Sequence, residues 1–274
     1  MPPARPSGPR PRKSLGQHFL RDSGVLLDIA NAVHWPEGGC LVELGPGTGQ
    51  LTEYLVASGH LLIALEIEPR MLDHLRRRFR GAPNLRLVEG DARTVDVANL
   101  VSGCGRYAVV GNLPYFAANP IIRHFLEASP RPETMVVMVQ REVAREIAAK
   151  SGDWSLLTIS VNVYAEAELL FDVAPEAFDP PPNVWSSVVR LTLRPQPLVP
   201  DERNAAFFEF VSRVFRNPRK QIHNSLARGV WLPPEGARAA LAAAGIDPSR
   251  RPETLDVADW LRLLDVCEEV RDRA

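Results

Sequence analysis

The chain has 274 residues, 45% hydrophobic and 24% charged, which fits one α/β domain of ordinary size with a small second unit. No stretch approaches the run of about eighteen apolar residues that a membrane span needs, and the Pro- and Arg-rich first twelve residues lack the apolar core of a secretory signal. A net charge of -1 argues against a uniformly basic surface, but the charge is unevenly placed. Arg5, Arg10, Arg12, Lys13 and Arg21 face Asp22 alone near the start, and residues 210–234 hold Arg213, Arg216, Arg219, Lys220 and Arg228 with no acid. Phosphate responds to such local clusters more than to the total, although each cluster taken alone is equally a solvated face. Cys40, Cys104 and Cys267 are odd in number, scattered and without a CxxC pair, so neither a disulfide framework nor a metal site is expected, and a reducing cytoplasm fits.

Residues 1–12 read as a flexible basic tail. Asp22-Ser23 can cap a helix whose apolar face is Val25, Ile29 and Val33. A β/α alternation follows. Strands are expected at Cys40–Leu44, Leu61–Glu66, Leu85–Glu89, Tyr107–Gly111 and Met135–Gln140, with helices at Gln50–Ser58, Pro69–Arg78 and Pro120–Ala128 between them. Strands this apolar, separated by helices, predict a Rossmann-like, doubly wound, mostly parallel sheet covered on both faces. After a helix near Ser155–Val163, strands at Ala167–Val173 and Ser187–Leu193 suit an antiparallel hairpin at one sheet edge. The segment from Arg194 to Pro200 is a proline-rich linker, which sets a first domain at residues 13–194 and a second at 201–274. The second reads as wholly helical: Glu202–Phe215, Lys220–Arg228, Pro234–Ala244 and Val257–Val270, with Gly245 as a stop and Thr254 and Asp256 as caps.

Glu43-Leu44-Gly45-Pro46-Gly47-Thr48-Gly49 follows the first of these strands and opens a helix. Glycines there let backbone approach a ligand closely, with helix amides facing it, although tight strand–helix packing explains such a turn as well. The spacing is G-x-G-x-G and not the dinucleotide G-x-G-x-x-G. Glu66 ends the next strand about 20 residues after Gly45, where an acid accepts from ribose hydroxyls. Asp91 ends the third, where a carboxylate can accept from an adenine amine or cap a helix. Three strand ends in register favour a nucleoside cofactor.

Gly111-Asn112-Leu113-Pro114-Tyr115 ends the fourth strand. Pro114 has no N–H and holds Leu113 extended, so the turn is poor in donors and offers the Asn112 side-chain oxygen and backbone carbonyls as acceptors. A primary aromatic amine, with two N–H donors, matches it. Two acceptors holding those hydrogens bias the nitrogen toward tetrahedral geometry and aim its lone pair at an activated methyl. No catalytic metal or covalent nucleophile is needed, and Tyr115 offers a flat face for a base. A core tyrosine on a strand-ending turn is the plainer alternative.

Asn-Leu-Pro-Tyr at a strand end resembles the motif of methyltransferases acting on adenine N6. The whole chain is similar to the small-subunit (16S) rRNA adenine N6,N6-dimethyltransferase family, whose members use S-adenosyl-L-methionine. Ser14-Leu15-Gly16-Gln17-His18-Phe19-Leu20 resembles that family's entry motif, which closes over the methionine end of the cofactor. Phe178 with Asp179-Pro180-Pro181-Pro182-Asn183-Val184-Trp185-Ser186-Ser187-Val188 resembles its F-x-P-x-P-x-V-x-S-x-V segment. Phe215 to Leu226 resembles its basic helical motif, with Asn217-Pro218 departing from the usual basic run. The likeness runs from Lys13 to about Leu264. It implies cofactor contacts at His18, Leu20, Gly45, Gly47, Glu66, Asp91 and Asn112, where His18 stands in place of the more common Asn. It implies a reaction site of Asn112, Leu113, Pro114, Tyr115 and Phe178, with Phe178 opposite Tyr115 across the target base. Lys13, Arg216, Arg219 and Lys220 would meet RNA phosphates. The implied activity is transfer of two methyls to each of two adjacent adenosines near the 3′ end of 16S rRNA within an immature small subunit, by a cytoplasmic monomer without metal. A large-subunit (23S) rRNA adenine N6-methyltransferase of the antibiotic-resistance type is the nearest alternative; it more often has Ile at the position of Leu113 and lacks the basic motif. A NAD-dependent oxidoreductase is disfavoured by both signature motifs, and an assembly factor without essential chemistry is the third reading.

Overall fold

The computed structural model describes residues 18–216, 219–230 and 233–272. Lys13, the rest of the entry motif before His18, and Asn217-Pro218 lie outside the described residues. The chain divides into two compact units. The first comprises residues up to 144 together with 167–193; the second comprises 145–166 with 194–274. The helical unit thus also takes in a segment that precedes the proline-rich linker.

A seven-stranded sheet forms the first unit. In chain order its members are β2 (Cys40–Leu44), β3 (Leu62–Glu66), β4 (Leu85–Glu89), β5 (Tyr107–Asn112), β6 (Thr134–Gln140), β7 (Ala165–Val173) and β9 (Ser186–Leu193). Their spatial order is β4-β3-β2-β5-β6-β9-β7. β4, β3, β2, β5 and β6 run parallel, and β9 pairs antiparallel with β6 from Thr134↔Thr192 to Gln140↔Ser186. Position in the sheet explains the residue patterns. β2 and β3 lie inside and are buried at every position, whereas the edge strands β4 and β7 leave many side chains exposed or half-exposed. Helices α1 (Ser23–Ala32), α2 (Gln50–Val56), α3 (Pro69–Arg78), α4 (Val97–Leu100) and α5 (Ala118–Leu126) connect or flank these strands. Asp22 caps α1 as expected, its carboxylate accepting the Val25 N–H at 3.0 Å.

A second, two-residue pairing has no counterpart in the sequence reading. β1 (Phe19–Leu20) lies antiparallel to β8 (Phe178–Asp179), with Leu20 opposite Phe178. It joins the entry motif to the proline-rich segment across more than half the chain.

The cysteines depart from what their spacing along the chain suggests. Cys40 and Cys104 form a disulfide, with Cα atoms 5.7 Å apart. The reason is sheet register: Cys40 pairs with Tyr107, and Cys104 sits in the turn just before Tyr107. Cys267 is free, and burial pushes its thiol pKa up to about 11.

In the second unit, α6 (Arg141–Ile147) contributes its last turn and α7 (Leu156–Tyr164) opens with a capping box between Ser155 and Thr158. Helices α8 (Asn204–Phe215), α9 (Ile222–Val230), α10 (Pro234–Ala243) and α11 (Val257–Asp272) follow the linker. Trp260, fully buried, anchors their core, with Phe210 edge-on at 6.2 Å and Phe215 at 5.5 Å. Asp256 caps α11 by accepting the Asp259 N–H at 2.7 Å. His223 is structural: its Nδ1 lies 2.8 Å from the Pro248 carbonyl and its Nε2 3.1 Å from Arg238.

Candidate functional site

In an open α/β sheet a ligand crevice forms at the carboxyl ends of the strands where the chain reverses its winding direction. Here that point is β2/β5, because β3 lies on one side of β2 and β5 on the other. Register places Leu44 beside Gly111, so the glycine turn after β2 and the Asn112 turn after β5 begin side by side. Gly111 is required by this approach: a Cβ there would stand 2.8 Å from the Leu44 carbonyl oxygen. Gly45 and Gly47 both adopt positive φ, at 65° and 56°, which lets the turn fold back under the crevice.

The crevice is a cavity of about 360 Å³, within the range of small-molecule sites. Of the residues singled out from the sequence, His18, Gly45, Gly47, Glu66, Asp91, Asn112, Leu113, Pro114, Tyr115 and Phe178 all line it. Leu20 does not; it is buried in the hydrophobic core while its neighbour Phe19 faces the cavity. Arg216, Arg219 and Lys220 belong to the other unit, exposed between α8 and α9 and without an ion pair among the described residues. Arg213 is instead paired with Glu209 one helical turn earlier.

Each acid is held differently. Glu66 is buried, and its two oxygens accept the backbone N–H groups of Gly47 at 3.0 Å and Glu68 at 2.9 Å. Burial raises its pKa, opposed by those amides and that of Ile67. Glu66 is therefore a brace for the glycine turn as well as a ligand candidate; a carboxylate has about four acceptor positions, so about one remains beyond the three amides for a ribose hydroxyl. Asp91 is more exposed, and its carboxylate faces Arg93, with contacts from the backbone N–H at 2.9 Å and from the guanidinium at 2.6–3.0 Å. Those hydrogen bonds hold its pKa below the ordinary value. A cofactor amine must share this acceptor with Arg93.

Behind them lies an acid that the sequence reading passed over. Glu43 is buried within β2 and accepts the Thr52 hydroxyl at 2.7 Å. Burial pushes its pKa up to about 8, opposed by the Thr52 bond and assisted by the Glu66 charge. A charged residue inside a five-residue apolar strand was the available signal.

At the reaction turn two of the backbone donors are already used. The Leu113 N–H bonds the Met138 carbonyl at 3.1 Å, the Ala117 N–H bonds Pro114 at 2.9 Å, and Pro114 has none. Asn112 donates through Nδ2 to the His18 carbonyl at 3.3 Å, and its Oδ1 takes no part in that bond. Tyr115 is half-buried; its hydroxyl lies 2.8 Å from Ser186 Oγ and its ring stacks at 6.1 Å on the His18 imidazole. His18 Nδ1 lies 2.8 Å from the Pro180 carbonyl. A carbonyl only accepts, so Nδ1 carries the proton and only Nε2 remains for a cofactor. Phe178, buried through the β1–β8 pairing, closes the cavity wall. Among the described residues no cluster of His, Cys, Asp and Glu could hold a metal ion.

A glycine turn, two strand-end acids and an acceptor-rich Asn-Leu-Pro-Tyr turn around one cavity of a doubly wound sheet define an S-adenosylmethionine-dependent methyltransferase of amino groups. Apolar Leu65, Ile67 and Ala92 line the same cavity beside the acids, which suits a flat nucleoside with polar edges. Residues 8–269 match the family described as ribosomal RNA adenine dimethylase, and the chain belongs to that family. It is 39% identical to a ribosomal RNA small subunit methyltransferase A of Dehalococcoides mccartyi over 92% of this chain and 87% of the relative. It is 40% identical to the protein of that description from Pseudomonas aeruginosa, over 95% and 96%. Among solved structures it is similar to a dimethyladenosine transferase from Plasmodium falciparum (TM-score 0.75, 25% identity, 92% of this chain and 98% of that one). The 23S rRNA methyltransferase ErmE is also similar (TM-score 0.71, 30% identity, 91% and 99%).

Proposed function

We propose that this protein transfers methyl groups from S-adenosylmethionine to N6 of two adjacent adenosines near the 3′ end of 16S rRNA, giving N6,N6-dimethyladenosine during small-subunit maturation. The observation that carries this reading is the β2/β5 crevice, where the acceptor-rich turn at Asn112 and the acids Glu66 and Asp91 line one cavity. The small-subunit assignment draws on relatives of that description at 39–40% identity, against 30% for the 23S enzyme. Leu113 and the exposed basic stretch between α8 and α9 favour it further.

The cofactor, when bound, supplies a methyl on a sulfonium that needs no further activation. Glu66 and Asp91 hold its ribose and adenine, and Gly45 and Gly47 leave room for backbone contact. Asn112 Oδ1 and a neighbouring carbonyl accept the two hydrogens of adenine N6 and aim its lone pair. Tyr115 and Phe178 flank the base, which must leave its stack to enter, at least cost from an unpaired loop. Arg216, Arg219 and Lys220, with Lys13, hold phosphates and position the RNA without reading its sequence. The protein works as a monomer in the cytoplasm. Glutathione keeps most thiols of that compartment reduced, so the Cys40–Cys104 bond is the one feature that does not follow from this location.

The test is incubation of the purified protein with labelled cofactor and unmodified ribosomal subunits, followed by nuclease digestion and mass spectrometry. Dimethyladenosine confined to two adjacent positions of 16S rRNA is expected. Label in 23S rRNA, or on another atom, would overturn the assignment.

A further inference from the structure

We propose that Phe116 is a stacking platform for the nucleotide next to the target adenosine, an inference that rests on the rRNA-methyltransferase reading above. Tyr115 and Phe116 occupy the two corners of the turn closed by the Ala117 N–H on the Pro114 carbonyl at 2.9 Å. The two rings have different fates. Tyr115 is half-buried and held through its hydroxyl by Ser186. Phe116 also lines the cavity but is 64% exposed, the most exposed large hydrophobic side chain among the described residues.

Folding does not explain a phenylalanine at this place. Turn corners favour Gly, Asn, Asp, Ser or Pro, and a ring left this far in water gains little from burial. The position does explain it. Extruding one base into the cavity breaks its stack with the adjacent base, which then lies uncovered at the rim. An exposed aromatic face there replaces the lost stacking partner, and does so for any base because each has a π face. Two consecutive aromatic residues, one inside and one at the mouth, thus match two consecutive nucleotides. Strand polarity presents the neighbour on one fixed side to the rim, so in a substrate with two adjacent adenosines one of them is the rim base when the other enters.

The experiment measures kcat/KM of wild type, Phe116→Ala and Phe116→Trp on reconstituted small subunits. Their 16S rRNA is either intact or carries an abasic residue in place of the rim-side adenosine, found by replacing each in turn, with methylation scored on the other. On intact rRNA, Phe116→Ala is expected to lose roughly five- to hundredfold, mainly through KM, while Phe116→Trp stays near wild type. On the abasic substrate wild type should fall by a similar factor, and Phe116→Ala should lose no more than about twofold beyond that. Cofactor affinity by calorimetry should stay within about twofold. Wild-type behaviour of Phe116→Ala on intact rRNA, or two losses that simply multiply, would overturn the proposal. So would a large loss of cofactor affinity, which would make the ring a cover for the cofactor. Failure of the wild-type protein to methylate intact subunits would instead overturn the function itself, and this inference with it.

Discussion

Glu66→Ala and Asp91→Ala should separate two roles that look alike in the sequence. Both acids end parallel strands beside the glycine turn, and from sequence both read as ligands whose loss weakens the cofactor and leaves the fold intact. The structure makes them unequal. Glu66 is 5% exposed and accepts two backbone N–H groups, from Gly47 and Glu68. Truncation strands both donors, at roughly 1–3 kcal/mol each, so the variant should lose about 2–6 kcal/mol of stability without any ligand present. For a unit of this size the melting temperature should fall on the order of 5–15 °C. Asp91 is paired with an Arg93 side chain that is 45% exposed. Exposed pairs of this kind contribute about 0–1 kcal/mol, so Asp91→Ala should melt within a few degrees of wild type. Each variant also removes a charged acceptor from the cofactor, and affinity should drop about ten- to hundredfold. Thermal unfolding without cofactor and calorimetry with it measure the two effects independently. Equal melting of Glu66→Ala and wild type would refute the bracing role, and wild-type affinity in both variants would refute the cofactor assignment.

Three further outcomes are expected. Glu43 has its pKa raised from 4.5 to about 8 in the folded protein, so between those values the native state holds a proton that the unfolded chain has lost. Stability should therefore fall as pH rises from about 4.5 to 8 and then level off, and Glu43→Gln should flatten that slope in denaturant titrations; an unchanged slope would show that another group is responsible. Asn112→Ala should keep cofactor affinity near wild type and slow single-turnover methylation by roughly two orders of magnitude, with mono- and dimethyladenosine both affected; a wild-type rate would end the amine-aiming mechanism. Arg219→Ala with Lys220→Ala should weaken RNA binding and reduce its salt slope by about one unit per lost phosphate contact, leaving cofactor affinity intact; an unaltered slope would return the stretch to a solvated face.

Much of the architecture is legible in the sequence because the sheet is governed by local pattern. Runs such as Cys40–Leu44 and Leu62–Glu66 are apolar at nearly every position, as only doubly covered strands are, and Pro69–Arg78 is bounded as its Pro and charge pattern indicate. The glycine turn, both strand-end acids and the Asn112–Tyr115 turn are likewise contiguous motifs whose chemistry is local, and each lines the cavity. Tertiary structure decided what depends on pairing between distant residues. The β1–β8 pairing sets Leu20 opposite Phe178, puts Phe19 at the cavity, turns Leu20 into the core and binds His18 Nδ1 to Pro180. Sheet register joins Cys40 to Cys104, a contact that spacing along the chain does not encode. Burial turns Glu66 into a brace and raises the pKa of Glu43, because a carboxylate's role depends on which donors surround it and how much water it keeps. Composition and periodicity state what each segment prefers; only the three-dimensional arrangement states which preferences are satisfied, and by whom.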